Sequence, residues 1–184
     1  MKRLLDLLIS VMALLALAPA MLLVALAIYR FDRGPIFFKQ QRVGLGGRTF
    51  GMYKFRSMVI DAERRGGFST LDQDPRITPV GRFIRRTSLD ELPQIINVLL
   101  GDMSIVGPRP DVPAQRSLYS DSEWIARNSV RPGITGLAQA TLRSAATAEQ
   151  RKALDLQYAR EASVGFDIKI IAMTVKQVLT KGGN

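Results

Sequence analysis

Asp90 and Glu91 are adjacent carboxylates just ahead of Pro93, in a segment crowded with arginines. Successive helical residues diverge by about 100°, so adjacency alone does not aim both at one target. Proline is tolerated in a first helical turn and costly deeper inside, which predicts a helix starting within a few residues of Asp90. The free N–H groups and positive dipole end of such a helix suit phosphate oxygens. They also keep a carboxylate ionised, as a nucleophile or a metal ligand must be. The same stretch, Ser88-Leu89-Asp90-Glu91, has the pattern of a capping box, in which Ser88 and Glu91 only satisfy backbone donors. Taken alone, the tetrapeptide favours capping over catalysis.

Its surroundings change the balance. Arg82, Arg85 and Arg86 lie just upstream, and Arg109 sits between two prolines in Gly107-Pro108-Arg109-Pro110. Flanking prolines restrict the backbone and can hold the Arg109 side chain in a fixed place. Guanidinium groups grip phosphate through paired hydrogen bonds, which suits a diphosphate. Lys54 and Arg56, and Arg131 in Arg131-Pro132-Gly133, add cations in turn-rich settings. Each singly is more often a solvated surface charge; gathered around one acidic pair they point to a phosphorylated substrate.

Histidine and cysteine are both absent. Disulfides and the usual Cys/His zinc sites are therefore excluded. A base working near neutral pH must be a carboxylate, lysine or tyrosine, and any metal must be a hard ion held by oxygen, such as Mg²⁺. The net charge of +10 calls for an anionic partner, leaving nucleic acid, acidic lipid and phosphorylated substrates in play. A nucleic-acid binder would interleave its basic residues with aromatics; here aromatics are only 7% and the basic residues are dispersed. A non-catalytic membrane scaffold holding acidic lipids would leave the Asp-Glu pair without a purpose.

Several elements must position these residues. Leu7 to Tyr29 is an almost unbroken apolar run that reaches roughly 30–35 Å as a helix, enough to cross a hydrocarbon core. Charge rather than a small-residue cleavage site follows it, which disfavours a signal peptide. Lys2 and Arg3 precede the run and Arg30, Arg33 and Lys39 follow it, so the positive-inside rule gives no orientation. Pro19 near the middle favours a kink. A helix that bends and returns to one face accounts for both facts; a kinked spanning helix accounts for the proline alone. From Ile36 to Met58 strand-like runs flank Gly44, Gly46 and Gly47, predicting a β-hairpin. Arg64 to Asp74 reads as a mobile polar loop. Ile95 to Leu100 is the apolar part of a helix ending near Gly101, and two more helices are predicted over Thr147–Ala162 and Phe166–Leu179. The last is amphipathic enough to lie on a membrane interface or to pack on its own core. The expected fold is α+β and predominantly helical, with a membrane-inserted segment over 1–33 and a catalytic domain over 34–184.

Three motifs carry a resemblance: Lys54 to Met58 (KFRSM), Thr87 to Pro110 (TSLDELPQIINVLLGDMSIVGPRP) and Arg131 to Gln139 (RPGITGLAQ). In sequence and order the chain resembles the bacterial sugar transferase family, the monotopic phosphoglycosyl transferases, and its length matches the minimal members. The resemblance implies a two-step transfer of a sugar-1-phosphate from a UDP-sugar to polyprenyl (undecaprenyl) phosphate. Asp90 matches the nucleophile that displaces UMP, and Glu91 its partner acid, in proton handling or positioning. Mg²⁺ is the implied cofactor, in contact with Asp90. Arg85 and Arg109 match phosphate-binding positions, Lys54 more weakly, and Arg131 joins them as a candidate. The family implies a re-entrant helix broken at a proline, here Pro19, although Ala18 stands where members often carry serine. It also implies the bacterial inner membrane, with the active site on the cytoplasmic face and membrane lipids rather than nucleic acid as surroundings. The sugar is left open, with 64–74 and Thr141 to Ala148 as candidate contributors to its choice. A homo-oligomer is also left open.

Overall fold

The computed structural model describes residues 1–62, 74–142 and 147–181. Of the candidate sugar-selecting stretches, 64–73 and 143–146 lie outside them. The described residues are mostly helical, with two small two-stranded sheets.

The first helix, α1 (Lys2–Asp32), runs through Pro19 without interruption and ends where Arg33 turns left-handed at φ 51°. Its 31 residues reach about 46 Å, and by length and composition it can cross a membrane. Leu4, Leu8, Val11, Met12, Leu15, Leu22, Leu23 and Leu26 are all exposed along it. A contiguous apolar surface of this size is unfavourable in water and suits hydrocarbon.

Both ends of α1 are tied to the rest of the chain. At the start, Lys2 Nζ donates to Val106 O at 3.0 Å and pairs with Asp167 at 2.5 Å. Arg3 donates to the carbonyls of Val98 and Leu99 at 2.6 and 3.0 Å. Asp6, buried, accepts from Ser104 Oγ and from the Ile105 N–H, each at 3.0 Å. At the far end Asp32 pairs with Arg56. Between them Met21, Val24 and Ile28 form a core with Phe55 and Ile84, against which Leu89 and Leu92 also pack.

The expected hairpin is present as β1 (Phe37–Val43) and β2 (Thr49–Phe55), antiparallel with Phe37 opposite Phe55 and Val43 opposite Thr49. Gly46 and Gly47 turn it at φ 65° and 79°, which β-carbon-bearing residues rarely adopt. Next, α2 (Pro79–Arg86) is capped by Thr78, whose side chain accepts from the Gly81 N–H at 2.8 Å. Then α3 (Gln94–Leu100) stops at Gly101, φ 97°, as the glycine predicts.

A second sheet, unforeseen, pairs β3 (Ser104–Val106) in parallel with β4 (Gly133–Thr135). Gly107 and Gly133 let these segments cross closely: a β-carbon on Gly133 would lie 2.1 Å from the Gly107 nitrogen. Between them lies α4 (Asp121–Arg127); after them come α5 (Leu137–Leu142), α6 (Ala148–Glu161) and α7 (Val164–Lys181). The last two coincide closely with the predicted helices. Val106, Leu137, Ala140, Tyr158 and Ile170 form the core beneath them.

Candidate active site

A helix does start within a few residues of Asp90, but the acidic pair lies ahead of it. Leu89–Glu91 form one 3₁₀ turn, and α3 begins at Gln94, with Pro93 as its N-terminal cap residue. The capping box does not form. Ser88 is left-handed at φ 57° and its side chain caps nothing, while the Glu91 carboxylate turns to two cations. Lys54 Nζ and Arg109 Nη2 both donate to Glu91 Oε1, at 2.9 and 2.7 Å, and Arg109 Nη1 reaches Oε2 at 3.5 Å.

Each partner is set by its own element. Lys54 rides on β2, whose free edge is held by the buried Asn97 of α3. The Asn97 amide accepts from the Tyr53 N–H at 2.8 Å and donates to Gly51 O at 2.9 Å, standing in for a neighbouring strand. Arg109 sits on a loop whose prolines have no N–H to give, so its carbonyls do the anchoring. Pro108 O accepts from the Gly133 N–H at 2.9 Å and Asp111 O from the Val43 N–H at 2.8 Å. Arg109 O accepts from Arg127 Nη2 at 2.7 Å, and Pro110 O from Arg42 Nη1 at 3.0 Å. Four consecutive carbonyls are thereby held, and the Arg109 backbone cannot drift. Arg127 is itself buried and paired with Asp111 and Asp155 at 3.1 and 2.9 Å.

Arg85, on α2, is the third cation. Its Nε donates to Ser57 Oγ at 2.8 Å, and its two terminal nitrogens have no hydrogen-bond partner among the described residues. The close approach of α2 to that serine depends on Gly81, where a β-carbon would fall 1.8 Å from the Ser57 carbonyl oxygen. Arg131 lies elsewhere: its Nε donates to Gly101 O at 2.9 Å, at the end of α3, and it does not line the cavity described next.

A cavity of about 550 Å³ is lined by Arg85, Ser88, Asp90, Glu91 and Arg109. That volume is within the range of small-molecule sites. Thr135, Gln139, Arg151, Thr174 and Gln177 line the cavity as well, and the sequence did not mark them as a site. The amide nitrogen and oxygen of Gln139 are both buried without a partner, which leaves a donor and an acceptor side by side for a ligand. The motif ending at Gln139 was the only trace of this group in the sequence; the others stand on distant helices with no pattern to mark them.

The two carboxylates differ electrostatically. Burial alone would raise Glu91, but the charges and hydrogen bonds of Arg109 and Lys54 outweigh it and hold the carboxyl at about 2. Asp90 is pushed up from its ordinary value by burial and by the neighbouring Glu91 charge, against the pull of Lys54 and Arg85. No side chain donates a hydrogen bond to Asp90 among the described residues. Nor do those residues contain a cluster of three acidic side chains able to cage a metal. Mg²⁺ needs no such cage, since it binds through one or two carboxylates together with substrate phosphates and water. Asp90, with open oxygens facing a cation-lined cavity, fits that donor set.

Residues 1–181 match the family described as Bacterial sugar transferase. The chain is 48% identical over 187 residues to the undecaprenyl-phosphate glucose phosphotransferase of Komagataeibacter xylinus, covering 96% of this chain and 35% of that one. It is 43% identical over 182 residues to the UDP-glucose:undecaprenyl-phosphate glucose-1-phosphate transferase of Escherichia coli (strain K12), with coverage of 95% and 39%. It is 40% identical over 190 residues to the UDP-N-acetylgalactosamine-undecaprenyl-phosphate N-acetylgalactosaminephosphotransferase of Aeromonas hydrophila, with coverage of 99% and 44%. The chain thus spans less than half the length of each of these relatives. With the match extending over the acidic pair, its cations and the membrane-type helix alike, the chain belongs to the bacterial sugar transferase family.

Proposed function

We propose that this protein transfers a sugar-1-phosphate from a UDP-sugar to polyprenyl (undecaprenyl) phosphate, releasing UMP, through a covalent phospho-sugar on Asp90. An Asp90 oxygen bonds to the β-phosphorus of the donor as the bond from that phosphorus to the bridging oxygen breaks, and UMP departs. A phosphate oxygen of the acceptor then attacks the same phosphorus, and the Asp90 carboxylate is regenerated. No proton need change hands, which suits a site without histidine. Phosphoryl transfer calls mainly for positioning and for cations around the developing charge. Arg85, Lys54 and Arg109 supply these.

One observation carries the reading. Of the two adjacent carboxylates, Glu91 is consumed by Lys54 and Arg109, while Asp90 faces the same cavity with no side-chain donor. The first is placed to position cations and the second to react. Mg²⁺, bound by Asp90 with the donor diphosphate, would neutralise phosphate charge. Because relatives act on glucose and on N-acetylgalactosamine donors, the proposal stops at a UDP-sugar.

The protein works at the bacterial inner membrane, with its active site on the cytoplasmic face. Attachment of both ends of α1 to one body supports a helix that enters one leaflet and returns.

The test is to incubate detergent-solubilised protein with a radiolabelled UDP-sugar and Mg²⁺, without acceptor. Wild type should release UMP and retain label on the protein; Asp90→Asn should do neither. Wild-type turnover by Asp90→Asn, or UMP release only when acceptor is present, would overturn the mechanism.

A further inference from the structure

A second cavity, about 310 Å³, lies behind Arg85. Its walls are largely apolar, with Phe38, Met58, Val59 and Ile60 prominent among them, and they include Pro35, just past the end of α1. Arg85 is the one side chain that lines both this cavity and the cavity of Asp90. Ser57, also in the second wall, fixes Arg85 through Nε and leaves the rest of its guanidinium without a protein partner among the described residues. The other cation present, Arg56, is neutralised by Asp32, and the acid present, Asp61, is exposed.

This combination selects a ligand. A largely apolar chamber with one unspent guanidinium in its lining complements an amphiphile with an apolar body and a single anionic head. A nucleotide sugar would find little there for its hydroxyls and base. The first cavity, by contrast, is lined by many polar side chains. The chamber also borders the end of the membrane-type helix through Pro35, near which a lipid phosphate could meet the protein.

We infer that this second cavity seats the first isoprene units of the polyprenyl-phosphate acceptor, with Arg85 holding its phosphate at the passage into the Asp90 cavity. The inference rests on the acceptor proposed above and adds where that acceptor lies. It divides the two substrates: the UDP-sugar occupies the polar cavity, the lipid enters through the apolar one, and Arg85 serves both.

Exchange of labelled UMP into UDP-sugar without acceptor reads the donor half-reaction alone, and transfer to farnesyl phosphate reads both halves. Ile60→Ser and Phe38→Ala should leave exchange within twofold of wild type. Each should raise the KM for farnesyl phosphate by about tenfold, the cost of a few lost methylene contacts. Inhibition by inorganic phosphate, which has no tail, should not change. Ile60 is 48% exposed, so its substitution tests the idea even if Phe38→Ala fails to fold. In unmodified protein, a diazirine-bearing farnesyl phosphate should crosslink to the 35–60 segment. An unchanged farnesyl-phosphate KM, a parallel fall in exchange, or crosslinks confined to α7 would overturn the assignment. Absence of exchange in wild type would instead count against the two-step mechanism.

Discussion

Glu91→Gln keeps the shape of the side chain and removes its charge, so that Lys54 and Arg109 are left to share a neutral amide oxygen. Both donors keep their charge, so what the variant loses is the attraction between the carboxylate and its two cations. Proton linkage gives its scale: Glu91 is held at about 2 where an unfolded glutamate sits near 4.5. That difference is worth about 3 kcal/mol at neutral pH. Between those two values the unfolded chain carries a proton that the native protein lacks, so stability rises with pH. The contribution is complete above about 4.5 and disappears as pH falls through about 2. The stability gap between wild type and Glu91→Gln should therefore be about 3 kcal/mol at pH 7 and about half that at pH 3. Urea unfolding in detergent micelles, followed by the fluorescence of Trp124, the sole tryptophan, measures both. The same preparations should show UMP exchange lowered by about 100-fold, since Arg109 loses its counter-ion at the tip while its backbone stays clamped. An equal gap at the two pH values, or full exchange activity in the variant, would refute the reasoning.

Further outcomes follow from other parts of the structure. Asp155 is raised to about 6 by burial, against the pull of Arg127. The native state therefore holds an extra proton between about 4 and 6, and stability should fall by up to about 3 kcal/mol as pH rises through that window; Asp155→Asn should flatten that slope in pH-dependent unfolding. Gln139→Leu should raise the KM for the UDP-sugar by about tenfold, by removing a donor and an acceptor from the cavity, with an unchanged melting temperature as the control. Gly133→Ala should cost several kcal/mol, because its β-carbon would meet main-chain atoms of Gly107 rather than a movable side chain; limited proteolysis would read the loss.

What the sequence disclosed depended on whether the deciding forces were local. Helix α6 could be bounded because Thr147 and Gln150 form a reciprocal cap, and the hairpin was visible through its glycines. Ser88 and Glu91 have the same spacing as Thr147 and Gln150, yet no cap forms there. What separates the two cases is tertiary: Lys54 and Arg109 arrive from distant segments and take the Glu91 carboxylate. Arg131 makes the complementary point. Its turn-rich setting suggested one more cation for the site, but the direction of its side chain, toward the Gly101 carbonyl, is set by packing that no local pattern encodes. The second sheet escaped notice because three-residue strands are too short to show alternation. Gln139 and Arg151 join the site only when α5 and α6 fold against it.

Leu89 and Leu92, on either side of the acidic pair, pack into the cluster that Met21, Val24 and Ile28 of α1 help to build. The turn bearing Asp90 is therefore seated on the long apolar helix. Truncation to a water-soluble version at the end of α1 would strip away the surface on which the nucleophile rests, along with the counter-ions of Asp167 and Arg56. If α1 sits in a bilayer as proposed, changes of detergent or bilayer thickness that tilt it would likewise be felt at Asp90.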